Sequence, residues 1–166
     1  MTSELEPVWK QFAETYDALR KALSELPDDR LAWKACPLAT SALGIVAHVV
    51  RANRRYSSLA AGAGLPSAPA EKIPGRERML DRLRESEEYV RGVFEQLTPD
   101  DLRRVCADDW NPLGPEVQGP LDALWFCHQI VRHTAYHLGQ INYISLLLEG
   151  SSPDGLVTTP GAGFPV

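Results

Sequence analysis

The stretch Leu121–Leu148, LDALWFCHQIVRHTAYHLGQINYISLLL, decides how this chain is read. Apolar residues run through it almost without a break, long enough to suggest a membrane span. Asp122, His128, Arg132, His133, His137 and Asn142 interrupt it, too many polar groups for a helix facing lipid. The segment therefore predicts a core helix. Leu121, Leu124, Trp125, Val131, Leu138, Tyr143 and Leu147 do not share one stripe. A helix at the centre of a bundle explains that, and so does a helix that also meets a second copy of the chain.

Working back towards the N-terminus, three more helices are expected. The first covers about 7–26: Trp9, Phe12, Tyr16, Leu19 and Leu23 recur at helical spacing, and Pro7 suits a first turn. The second starts at Thr40 or Ser41, either of which can cap it, and fades at Gly62-Ala63-Gly64. The third spans about 76–97, with Leu80, Leu83, Val90, Val93, Phe94 and Leu97 as its apolar stripe. Thr98-Pro99-Asp100-Asp101 reads as a new cap with proline in the first turn. The last helix is expected over about 120–149. Residues 64–75 and 107–119, rich in Pro and Gly, read as loops, the former a long crossover. No segment alternates as a strand would. The expectation is one all-α domain over 1–166: a four-helix bundle over about 7–150 and an irregular tail over 151–166.

The bulk properties narrow the function. A length of 166 residues with 44% hydrophobic and 23% charged residues suits one soluble domain with a proper core. The net charge of −5 argues against a general nucleic-acid binder, and a membrane partner is not expected. Three cysteines, Cys36, Cys106 and Cys127, form no C-x-x-C and no even framework. With an acidic N-terminus lacking an apolar core, they lead us to expect a cytoplasmic protein without a signal peptide.

His133 and His137 are one turn apart, about 40° on one helix face. A helix presents two imidazoles to one metal ion in this way. His128 lies about 140° from His133 in the other direction and cannot join them. His48, in the second helix, is a third candidate. Gly44, one turn before it, either leaves room for a ligand or permits close helix packing. Arg55, two turns beyond, is a candidate for an anionic group, or a plain surface residue. Tyr136 and Gln140 share the His133 face and are candidates to orient a bound water or substrate, or core polar groups satisfied internally. Thr134 occupies the position of the glutamate in H-E-x-x-H, which disfavours a thermolysin-like peptidase. Cys127, about 120° from His133, points elsewhere. Trp33, Trp110 and Trp125 are candidates for pocket walls or for core.

His133-Thr134-Ala135-Tyr136-His137-Leu138-Gly139-Gln140-Ile141 resembles the H-x-x-[YH]-H-x-G-Q-[IL] signature of the DinB/YfiT-like superfamily. His48, after Trp33 and a capping serine, is similar to that family's first ligand, and the resemblance extends over about 7–150. It implies an up-down-down-up four-helix bundle, often a homodimer, with a divalent metal, zinc or nickel in most members. By the resemblance that metal is held by His48, His133 and His137. Relatives so implied include thiol S-transferases using bacillithiol, mycothiol or glutathione, and a mycothiol-dependent maleylpyruvate isomerase. Others are known only as hydrolase-like or damage-induced.

Three neutral imidazoles leave the whole charge on a metal, which lowers the pKa of a bound water or thiol. A small thiol cosubstrate held there is a thiolate at neutral pH, ready to attack an electrophilic small molecule. The same site with hydroxide would make a hydrolase. Two rivals share the sequence: a non-catalytic metal or small-molecule binding protein, and a bundle whose histidines are core. The resemblance tilts the expectation to the thiol transferase.

Overall fold

The computed structural model describes residues 1–63, 73–106 and 121–150. They form α1 (Leu5–Glu25), α2 (Ala42–Ala60), α3 (Arg76–Gln96), a single-turn α4 (Pro99–Leu102) and α5 (Ala123–Glu149). A 3-10 turn, Asp28–Arg30, follows α1. The described residues contain no strand, only an isolated antiparallel bridge between Val105 and Asp122. The four expected helices are present, and the architecture is an all-α bundle. Most of the crossover over 64–75, the loop over 107–119 with Trp110, and the tail over 151–166 lie outside the described residues.

Local chemistry sets the helix ends. Ser41 accepts a hydrogen bond from the Gly44 amide at 3.2 Å and caps α2. The same turn explains Gly44. A Cβ there would lie 2.8 Å from Thr40 Cγ2, so the missing side chain makes room for the residues just before the helix. Among the described residues, no neighbouring helix comes within 4 Å of that position. The far end of α2 is closed by Gly62 at φ +69°, a left-handed conformation that glycine adopts at little cost. Thr98 and Asp101 form a reciprocal capping box at α4. The last helix starts at Ala123 rather than 120, because the Asp122 carboxylate accepts the Trp125 amide at 2.7 Å.

The core is built from the apolar stripes. On α1, Leu5, Val8, Phe12, Tyr16, Leu19 and Leu23 are all buried. The Phe12 ring packs 5.6 Å from Trp9 and 4.8 Å from Tyr16. Full burial of a side chain of this size stabilises the fold by roughly 1.5–3 kcal/mol. α1 runs antiparallel to α3: Trp9 meets Phe94 at 6.3 Å, Arg20 pairs with Glu87, and Arg76 donates to the Leu23 carbonyl at 2.9 Å. Arg76 thereby satisfies carbonyls that the end of α1 leaves open.

α2 and α5 are also antiparallel. Tyr56, near the end of α2, packs 6.3 Å from Phe126 near the start of α5, while His48 reaches the middle of α5. This pairing places the histidines of two helices opposite one another. Among the described residues, no helix is long and apolar enough to cross a membrane.

Candidate metal centre

His48 from α2 and His133 and His137 from α5 converge. His133 Nε2 lies 2.9 Å from His48 Nε2 and 3.1 Å from His137 Nε2. The three potential ligand atoms all lie within 4.8 Å of one another. His137 is buried and the other two are half-buried. Among the described residues, no carboxylate or thiol completes a group with them.

Three imidazoles this close cannot all carry the second proton that makes them cations. Burial, reinforced by His137 and His48, pushes His133 down to about 3. Burial, then the His137 and Arg51 charges, lowers His48. Burial also lowers His137, against an opposing hydrogen bond that its ring donates to Gln140. All three rings are therefore neutral at pH 7, with nitrogen lone pairs available. Neutral imidazole is the form that binds a divalent ion.

The surroundings hold the rings in place. His137 Nδ1 faces Gln140 Oε1 at 2.7 Å. A carbonyl oxygen only accepts, so Nδ1 carries the proton and Nε2 keeps its lone pair. Gln140 Nε2 in turn donates to the Tyr136 hydroxyl at 3.1 Å. The edge of the Tyr56 ring packs against His133 with centroids 5.5 Å apart. His133 Nδ1 is buried and makes no hydrogen bond among the described residues. Thr134 donates to the Ile130 carbonyl at 2.8 Å and is buried, so it offers no base.

Of the residues singled out in the sequence, the three histidines meet. Gln140 and Tyr136 stand behind His137 and act on its ring. Arg55 is half-buried on α2. His128 is exposed, as its angle around the helix requires. Cys127 is buried, and desolvation pushes its thiol up to about 12, so it is no nucleophile. Cys36 is exposed, and Cys106 donates to the Leu59 carbonyl at 3.1 Å. Trp125 packs on Phe126 with centroids 5.0 Å apart, and Trp33 lies partly buried against the core. Two residues near the centre escaped the sequence reading. Tyr56 carries no signal beyond an aromatic at core spacing, whereas Arg51 stands three residues after His48, on the next turn.

A sequence model of the DinB superfamily matches residues 11–141. No curated protein matches the chain. Among solved structures, the chain is similar to a conserved protein from Enterococcus faecalis. The TM-score is 0.72 at 14% identity, covering 91% of this chain and 99% of that one. At that identity the likeness concerns the fold alone.

Proposed function

The chain belongs to the DinB superfamily, and from that premise we propose that it is a divalent-metal enzyme transferring a low-molecular-weight thiol to an electrophilic small molecule. His48, His133 and His137 would hold the ion, zinc or nickel. The observation that carries this reading is the convergence of three Nε2 atoms from two helices on one point. The donor set fits: three neutral imidazoles, one with a hydrogen-bond acceptor behind it, as metal-binding histidines require. Such an ion supplies Lewis acidity that keeps a thiol deprotonated at neutral pH.

The protein's own residues do the rest. Gln140 holds the His137 tautomer, and Tyr136 holds Gln140. Tyr56 and the buried backs of the rings keep water from one side of the centre. Thr134 leaves the α5 turn without the glutamate base of a thermolysin-like peptidase, so that form of hydrolysis is disfavoured. Tyr136, Tyr143 and Leu146 on α5 are 63%, 62% and 62% exposed, which supports a homodimer.

The test is metal content of untagged protein beside a His133→Ala variant. About one equivalent of metal in the parent, lost in the variant, is expected for a three-histidine site. Bacillithiol, mycothiol and glutathione are then offered with monochlorobimane as electrophile. A parent that binds neither zinc nor nickel overturns the reading.

A further inference from the structure

The two helices that supply the histidines differ in charge from the rest of the chain. α2 carries Arg51, Arg54 and Arg55 and no acidic residue. α5 carries Arg132, and its one acidic residue is Glu149 at its last position. This occurs in a chain of net charge −5. On the opposite pair of helices the signs are mixed and matched: Arg20 with Glu87, Arg82 with Glu85, Arg91 with Glu95. A solvated helix face ordinarily mixes its signs in that way. Arginines three and four residues apart, as Arg51 is from Arg54 and Arg55, repel and cost a helix stability.

The α2 and α5 arginines differ in what they meet. Arg54 lies over the Tyr89 ring at 5.2 Å, towards α3. Arg132 lies over Trp125 at 5.5 Å and donates to Gln129 Oε1 at 2.9 Å. Arg51 is exposed and pairs with no carboxylate among the described residues. It stands three residues after His48, one turn along the same helix. The acidic residues Glu71, Asp108, Asp109, Glu116 and Asp154 lie outside the described residues.

We propose that the small molecule taken at the three-histidine centre is an anion bearing a carboxylate beside its reacting group, and that Arg51 receives that carboxylate. The proposal rests on the thiol-transfer reading for the reacting group and on the charge pattern for the carboxylate. A guanidinium presents paired N–H donors that match a carboxylate, which a solvated lysine does not. With His48 on the next turn, one molecule can meet both. Arg51 is thus a specificity residue for the charge of the ligand.

The test is calorimetric binding to the zinc-loaded protein, with zinc stoichiometry measured for every variant. The probes are mercaptosuccinate, its neutral counterpart mercaptoethanol, and succinate, which has no thiol. Mercaptosuccinate is expected to bind about tenfold more tightly than mercaptoethanol. Arg51→Ala abolishes that preference, Arg51→Lys keeps part of it, and Arg54→Ala keeps all of it. Raising the salt concentration narrows it. Equal affinity for charged and neutral probes, no binding of any probe, or a preference that survives Arg51→Ala overturns the proposal. A protein that takes up no zinc refutes the metal reading instead. Succinate then tests Arg51 in the zinc-free protein: Arg51-dependent binding supports the proposal, and its absence overturns it.

Discussion

The Nδ1 of His137 and the Oε1 of Gln140, one turn apart on α5, stand 2.7 Å from each other. The contact fixes which nitrogen of His137 faces His48 and His133. It also assigns Gln140 to the ring rather than to the open side of the centre. A hydrogen-bonded partner of this kind typically contributes 10- to 100-fold, as an order of magnitude, to metal affinity. Gln140→Leu is therefore expected to weaken zinc binding by about tenfold or more, read by competition with a chelator of known affinity. Tyr136→Phe removes only the acceptor behind Gln140 and should cost less. Equal affinity in parent and Gln140→Leu protein would show that the ring needs no orienting partner.

The three lowered histidines predict how the metal-free protein responds to acid. In the unfolded chain each histidine takes up a proton near 6.5; in the folded chain His133 does so only near 3. Below pH 6.5 the unfolded state binds more protons than the native state, so acid favours unfolding. This part of the stability is fully present above 6.5 and is lost as pH falls towards 3. Urea midpoints measured through that range should fall with pH, and fall less steeply in His133→Gln. Parallel curves for the two proteins would contradict the assignment.

Ser41 caps the helix that carries His48. Ser41→Ala should destabilise the fold by about 1 kcal/mol, seen as a shift in urea midpoint at unchanged slope. A neutral substitution would mean that another group, or water, caps α2 equally well.

Gly139 sits in the middle of α5, and a Cβ there meets nothing within 4 Å. Glycine at such a position weakens a helix by roughly 0.5–1 kcal/mol relative to alanine. Gly139→Ala should raise stability by about that amount. A loss of stability, together with a change in mass by light scattering, would instead place a neighbouring chain against this face.

Much of this protein was legible in its sequence. α1, α2 and α3 each carry an apolar stripe at a spacing of three or four and α5 an almost unbroken apolar run, and neither pattern needs a tertiary contact to be recognised. The caps at Ser41 and Thr98 are likewise local, since a side-chain oxygen reaches an amide within its own turn. The pairing of His133 with His137 is a property of a single helix, and even His128 could be set aside by angle alone. What the sequence could not contain was distance between helices. That His48 meets His133 at 2.9 Å depends on the antiparallel packing of α2 on α5, which side chains from both helices decide together. Gly44 could make room for a ligand or for a neighbouring helix by its sequence, and only the structure shows Thr40 Cγ2 2.8 Å from where its Cβ would be. Gln140 and Tyr136 lay on the right face, but only their rotamers show that they grip His137 and each other. Arg51 was one arginine among many until packing made His48, on the turn before it, part of a three-ring centre. Periodicity and capping act within a few residues and are written in order along the chain. The centre depends on the relative position of two helices, and that exists only once the core has closed.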